Sequence, residues 1–236
     1  DVTSSDLLSL KTDLLVIVIN KNTKDEVVNQ LAKDVSSHLK ESGSSVLVPN
    51  AKSFNAKNVL LVKGFQDSDQ IHKLISMYQS IAQKGNQLKA KDISIMPGTV
   101  YPKGKCEMWL IEMVAKTIES NVYIFSETCN KTAKKPSVKK LNILVSSLTK
   151  SDLIKAKNAA KKGYAIGEGV NSAKYLGDLP ANHCTPRIIE KKVKAMTKDF
   201  PKLKVKSFNE NQMKKMGMGS FLSVSRGSEE PARMMV

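Results

Sequence analysis

The strongest constraint on the fold is the apolar run LLVIVIN at residues 14–20. A continuous β-branched run is typical of a strand that is covered on both faces, as in a parallel sheet. A helix is predicted next, because apolar residues recur at three- and four-residue spacing: Val27, Val28, Leu31, Val35 and Leu39. The glycine and serines of ESGSS then end it.

The same alternation of strand and helix continues to residue 145. Strands are predicted at 58–62, 92–96 and 141–145, and helices near 71–82 and 108–118. Strands that alternate with helices predict an α/β sandwich with a mostly parallel sheet.

A long helix is predicted after Thr149, which can cap it with Asp152 three residues on, because about 25 residues follow without a proline. The glycines of GYAIGEG (163–169) lie inside this helical pattern and do not follow a strand. They therefore indicate close helix packing and not a phosphate-binding loop. The chain is expected to divide into a domain at 1–148, a linker helix at 149–177 and a second unit at 178–236.

The second unit again shows both kinds of element. Thr185 can cap a helix that begins at Pro186. A strand is predicted at 202–208, a short helix at 209–219 and another strand at 220–224.

His183 and Cys184 are adjacent, so they could serve as a base with a thiol nucleophile or as half of a metal site. The three cysteines and three histidines are otherwise dispersed, which disfavours a disulfide framework and a zinc site. We therefore interpret His183 as a turn residue and Cys184 as a small buried residue before the helix. Glu229 and Glu230 are adjacent carboxylates, but RGSEEP is typical of an exposed turn.

The net charge is +16, and the basic excess is spread over both halves of the chain. Its densest cluster is KTAKKPSVKK, where nucleic-acid contacts are candidates at Lys131, Lys134, Lys135, Lys139 and Lys140. No apolar run has the roughly 20 residues that span a bilayer, and the first residues do not have the pattern of a signal peptide. A cytoplasmic protein without a membrane partner is expected.

Two segments resemble the leucyl aminopeptidase, or cytosol aminopeptidase, family. NSAKYLGDLPANHCTP (171–186) and FNENQMKKMGMGSFLSVSRGSEEP (208–231) have the order and spacing of its linker helix and the start of its catalytic domain. YIFSETCNKTAKKP (123–136) looks like the end of its N-terminal domain, and the looser fit there is closest to bacterial members. The resemblance implies a macrodomain-like N-terminal α/β sandwich, a long linker helix and the incomplete start of an α/β catalytic domain.

This resemblance also implies a metal-dependent aminopeptidase that releases N-terminal residues, leucine among them, from peptides. In the family, two divalent ions, zinc or manganese, activate a water, and six chains form a homohexamer. The motifs that carry the metal ligands, around Asp-Ser-Gly-Gly and Asn-Thr-Asp-Ala-Glu-Gly-Arg, do not occur in these 236 residues. We therefore assign no catalytic or metal-binding residue, and expect the N-terminal portion of a longer enzyme that alone binds no metal and is inactive.

Two other functions stay open at this point. One is nucleic-acid binding by the basic α/β domain. The other is a small-ligand module, because the family's N-terminal domain is similar to macrodomains that hold ADP-ribose. The loop NKNTKDE after the first long strand disfavours the second, since it has no glycine that would let the backbone approach a diphosphate.

Overall fold

The computed structural model describes residues 1–4, 6–20, 23, 25–65, 71–98, 101–128, 135–145 and 149–236. The chain divides into two compact units, Asp1–Ala173 (unit 1) and Lys174–Val236 (unit 2). The predicted domain boundaries near residues 148 and 178 stay a prediction.

Unit 1 is a sheet with helices between its strands. Its elements are β1 (Val2–Thr3), β2 (Thr12–Ile19), α1 (Glu26–Asp34), β3 (Ser45–Pro49), β4 (Ala56–Lys63), α2 (Ile71–Gln87), β5 (Asp92–Met96), α3 (Glu107–Val122), β6 (Lys140–Leu144) and the long helix α4 (Lys150–Asp178), which continues into unit 2. The strands follow the order β1-β6-β5-β2-β4-β3. Every pairing is parallel except that of β3 with β4, so the predicted mostly parallel α/β sheet is confirmed.

The core lies on both faces of the sheet, as the apolar run in β2 predicts. Leu14 and Val16 belong to the cluster that includes residues of α2 and α3, whereas Leu15 and Ile17 belong to a second cluster with Val28 of α1. Alternating residues of one strand therefore bury into different layers, which is why β2 reads as continuously apolar.

Helix α4 packs closely on α3 through two of its glycines. A Cβ at Gly163 would clash with the Glu112 carbonyl oxygen, and one at Gly167 would lie 2.6 Å from Glu119 Cβ. The predicted close packing is confirmed at these two positions, whereas Gly169 faces open space. The predicted cap is also present, because the Thr149 hydroxyl accepts the Asp152 N–H at 3.1 Å.

Unit 2 contains α5 (Pro186–Asp199), β7 (Ser207–Asn209), α6 (Glu210–Lys215), α7 (Gly219–Ser223) and β8 (Arg233–Met235). The Thr185 side chain caps α5 as predicted. Two predictions are wrong: only the end of 202–208 is a strand, and 220–224 is mainly helical. The strand that pairs with β7 is β8, so the run at 220–224 has no ladder partner and closes local bonds such as Leu222 N–H to Met218 O at 3.1 Å.

No helix within the described ranges combines the length and the apolar character that crossing a bilayer requires.

Candidate functional site

The His183–Cys184 pair belongs to a turn that leads into α5. Ala181–His183 form one 3-10 turn, in which the His183 N–H donates to the Pro180 carbonyl at 2.8 Å and the Cys184 N–H to that of Ala181 at 3.2 Å. His183 is exposed, as predicted for a turn residue. Cys184 is only half-buried, whereas a buried residue was predicted. These bonds account for the stretch as a helix entrance.

The two adjacent carboxylates lie at the surface of unit 2. Glu229 is exposed, and Glu230 accepts a bond from the Arg187 guanidinium at 3.3 Å. A solvated ion pair of this kind contributes little free energy and leaves neither carboxylate in an environment suited to acid–base chemistry.

A more enclosed carboxylate, which sequence reasoning missed, joins α5 to β8. Glu190 accepts bonds from the Lys194 ammonium at 2.6 Å and the Arg233 guanidinium at 2.8 Å. The bond from Lys194, helped by that from Arg233, holds the pKa of Glu190 at about 2. The four-residue spacing of Glu190 and Lys194 could have indicated half of this cluster, but Arg233 joins it only through the fold.

The candidate nucleic-acid contacts are only partly within the described ranges. Lys131 and Lys134 lie outside them, and Lys135, Lys139 and Lys140 are exposed. The N–H groups of Lys139 and Lys140 both donate to the Lys91 carbonyl, at 2.8 and 3.2 Å. The last two lysines are therefore fixed at the start of β6.

Packing brings Lys139 and Lys140 to one cavity with Lys157 and Lys161 of α4. This cavity, the lysine groove, has a volume of about 780 Å³ and is bounded by β1, β6, α3 and α4. Sequence reasoning missed the two α4 lysines, whose four-residue spacing places them on the same helix face. The structure therefore assembles a basic site from two segments that are separate in sequence.

A second cavity, of about 470 Å³, lies where β2 and β4 end. The carboxyl ends of parallel strands are a common ligand position in α/β folds. Two of its polar side chains are bonded within the protein, since Lys63 Nζ donates to the Lys40 carbonyl at 2.8 Å and Asn29 Nδ2 to that of Thr23 at 3.0 Å. Residues 21, 22 and 24 lie outside the described residues, and ADP-ribose binding stays an alternative that the sequence NKNTKDE disfavours.

Known proteins identify the family. Residues 171–236 match the catalytic-domain model of the cytosol aminopeptidase family. The chain belongs to the cytosol aminopeptidase family. A probable cytosol aminopeptidase of Pseudomonas paraeruginosa is 31% identical over 198 residues, which are 82% of this chain and 39% of that protein. Another, of Azotobacter vinelandii, is 29% identical over 249 residues, which cover 100% of this chain and 49% of that protein.

Solved structures support the fold of this chain. A tomato leucine aminopeptidase variant matches 99% of it with a TM-score of 0.75 at 18% identity, and the bottromycin maturation enzyme BotP matches 95% with a TM-score of 0.70 at 17% identity. The chain covers 49% and 45% of those structures, and it spans less than half the length of the curated relatives above.

Cytosol aminopeptidases are generally metal-dependent. In the part of the chain that the structure describes, no three side chains of His, Cys, Asp or Glu come together in a group that could hold a metal ion. The described residues therefore do not fit a metal centre, and no step of metal chemistry is assigned to them.

Proposed function

We propose that this chain is the N-terminal part of a metal-dependent aminopeptidase that releases N-terminal residues, leucine among them, from peptides. The observation that carries this proposal is the match of residues 171–236 to the family's catalytic-domain model. The names of the relatives favour a cytoplasmic enzyme. Two zinc or manganese ions and a homohexamer are proposed for the whole enzyme on the family resemblance alone.

The contribution of this chain to that enzyme is structural. Glu190 ties α5 to β8 through Arg233, and the Glu210 carboxylate accepts the Ala232 N–H at 2.9 Å. These two contacts fix the strand at Arg233–Met235 against the helices that precede it. We propose that the 236 residues alone hydrolyse no peptide, because the ligand motifs are not among them.

A chimaera tests the function directly. The chain would be joined after Val236 to the remaining catalytic segment of the Azotobacter vinelandii relative, and assayed with L-leucyl-p-nitroanilide and Mn²⁺. We expect hydrolysis that a chelator abolishes, and no hydrolysis by the 236 residues alone.

The relative's own full-length protein, assayed in parallel, controls for the assay, and circular dichroism controls for folding of the chimaera. A folded chimaera without activity would contradict the proposed peptidase. Metal-dependent turnover by the 236 residues would instead contradict their proposed inactivity.

Nucleic-acid binding is a second candidate, favoured by the exposure of Lys135, Lys139 and Lys140. Phosphate contacts release counterions, so affinity should fall steeply with salt. We expect a gel shift of duplex DNA at about 50 mM salt that weakens when the three lysines become glutamine. Equal weakening by Lys198→Gln with Lys204→Gln, on exposed lysines of unit 2, would remove this assignment.

A further inference from the structure

The floor of the lysine groove is apolar although its rim is charged. It is formed by buried or half-buried side chains of α3 and β6, together with one residue that lies two positions before β6: Ala115, Ile118, Val122, Leu141, Ile143 and Val138. Ala160 of α4 adds a small side chain beside them. The volume of the lysine groove, about 780 Å³, lies in the range of small-molecule sites.

The rim has more cations than anions. The four lysines are exposed, and two carboxylates, of Asp1 and Glu119, lie among the lining residues. Burial, followed by the nearby Glu168 carboxylate, raises the pKa of Glu119 to about 7. Near neutral pH Glu119 therefore carries less negative charge than an ordinary carboxylate, and the four lysines leave the rim positive.

The partners of the α4 lysines distinguish the groove from the rest of the helix. Lys155 and Lys162 face elsewhere, and each pairs with a carboxylate at 3.0 Å, of Asp152 and Glu112 respectively. Among the residues that the structure describes, Lys157 and Lys161 form no ion pair. Two ammonium groups one helical turn apart repel each other, and an anion between them would relieve that repulsion.

We propose that the lysine groove binds an organic phosphate, whose apolar body covers the floor while its dianionic head meets the ammonium groups of the rim. A dianion matches four lysines better than a single charge does, and Lys is a common point-charge ligand of phosphate. The apolar floor requires more than inorganic phosphate, since its burial supplies free energy only to a ligand with an apolar body. The groove is independent of the peptidase assignment, because its lining residues lie before residue 171.

Calorimetric titration of the whole chain with octyl phosphate tests this site. We expect saturable binding at one site, with octanol and inorganic phosphate each at least about tenfold weaker. Octanoate tests whether a single negative charge suffices, and it should bind more weakly than the phosphate. No saturable binding of octyl phosphate, or equal binding of octanol or inorganic phosphate, would overturn the proposal.

Variants of α4 locate the site. The pair Lys157→Gln with Lys161→Gln should weaken octyl phosphate binding about tenfold or more, and Ala160→Leu should weaken it by filling the floor. The pair Lys155→Gln with Lys162→Gln removes the same charge from the same helix and should leave the affinity unchanged. An equal loss in this control pair would mean that only the overall charge matters, and would overturn the site.

A nucleic acid is the competing occupant of this surface. Three results together would replace the proposed ligand with a nucleic acid. A single-stranded oligonucleotide would bind the parent and lose affinity in the pair Lys157→Gln with Lys161→Gln. Ala160→Leu would keep that affinity, and octyl phosphate would not bind. Circular dichroism of each variant confirms that lost binding is not lost folding.

Discussion

Each of the two units is stabilised internally by a different kind of interaction. In unit 1, Leu14–Ile17 of β2 have no exposed surface, and buried residues continue through both layers of helices. In unit 2, the buried apolar residues are only Leu179, Met213 and Ala232. Its exposed large apolar side chains outnumber them: Met196, Phe200, Leu203, Met216, Phe221, Val224 and Val236.

This difference shows that helix caps and ion pairs can position helices and strands where few apolar side chains are buried. Unit 2 has a Thr185 cap on α5, a reciprocal capping box between Asn209 and Gln212 on α6, and the Glu190 ion pairs. A helix cap contributes about 1 kcal/mol, whereas burying a leucine or isoleucine side chain contributes about 1.5–3 kcal/mol. Unit 1 should therefore be the more stable of the two.

A matched pair of leucine substitutions gives the largest test of this comparison. Leu15→Ala removes a side chain that is completely buried, so it should lower the free energy of unfolding by about 2–5 kcal/mol. Leu203→Ala, at a side chain that is 38% exposed, should lower it by about 0.5 kcal/mol or less. Urea unfolding followed by circular dichroism measures both, and fluorescence of Trp109, the single tryptophan, reports on unit 1.

Equal losses in the two variants would break the comparison, because they would mean that Leu203 is buried in solution by another molecule. Unfolding at several protein concentrations separates that case, since an association between chains makes the midpoint depend on concentration.

The glycines of α4 give the second test. Gly163→Ala places a methyl group against the Glu112 carbonyl oxygen and 3.0 Å from Ala115 Cβ, so we expect a loss of about 1–3 kcal/mol. Gly169→Ala meets nothing within 4 Å and should gain about 0.5–1 kcal/mol from helix propensity. Thermal unfolding measures both, and stabilisation by both variants would mean that α4 does not pack on α3 as described.

The sequence predicts most of unit 1 because burial on both faces leaves a local signal. The continuous apolar run at 14–20 and the predicted strands at 58–62, 92–96 and 141–145 each coincide with an observed strand to within two residues. The edge strands were missed: β1 has only two residues, and β3 has no fully buried residue to mark it.

The signal is weaker where a strand depends on a distant partner. Residues 220–224 have the apolar content of a strand but no neighbour to pair with, and become α7. The lysine groove also depends on packing, because nothing local joins Lys157 and Lys161 to Lys139 and Lys140. The helix entrance at Thr185 and Pro186 is a local arrangement, which is why it was predicted correctly.

The carboxylate of Glu119 predicts a pH dependence in unit 1. Its pKa of about 7 lies above the usual 4.5, because of burial and of Glu168, and Tyr164 also lies near it while Asn171 Nδ2 donates to its Oε1 at 3.4 Å. The folded state therefore holds this proton more tightly, so the stabilisation is complete below pH 4.5 and is lost as the pH rises through 7. Lys157 and Lys161, which line the same cavity, oppose this loss but do not reverse the direction.

At pH 8, Glu119→Gln should accordingly have a free energy of unfolding about 1 kcal/mol higher than that of the parent, after allowance for solvent screening of a half-exposed group. At pH 4 the two free energies should differ little. Urea unfolding at both pH values measures this. Glu112→Gln is the matched control on the same helix, because its carboxylate is paired with Lys162, and it should not stabilise the protein at pH 8. A parent that gains stability relative to Glu119→Gln between pH 5 and 8 would reverse the assignment.

The smallest expected effect is local to unit 2. The pKa of Glu190 is about 2, so its stabilising contribution is present above pH 4.5 and is lost as the pH falls through 2. At pH 7, Glu190→Gln should lower hydrogen-exchange protection at β7 and β8 and leave β2 unchanged. Glu230→Gln breaks a more exposed pair and should change these amides less. Lost protection in β2 as well would show that the two units unfold together. Unit 2 would then have no separate stability that depends on its local ion pairs.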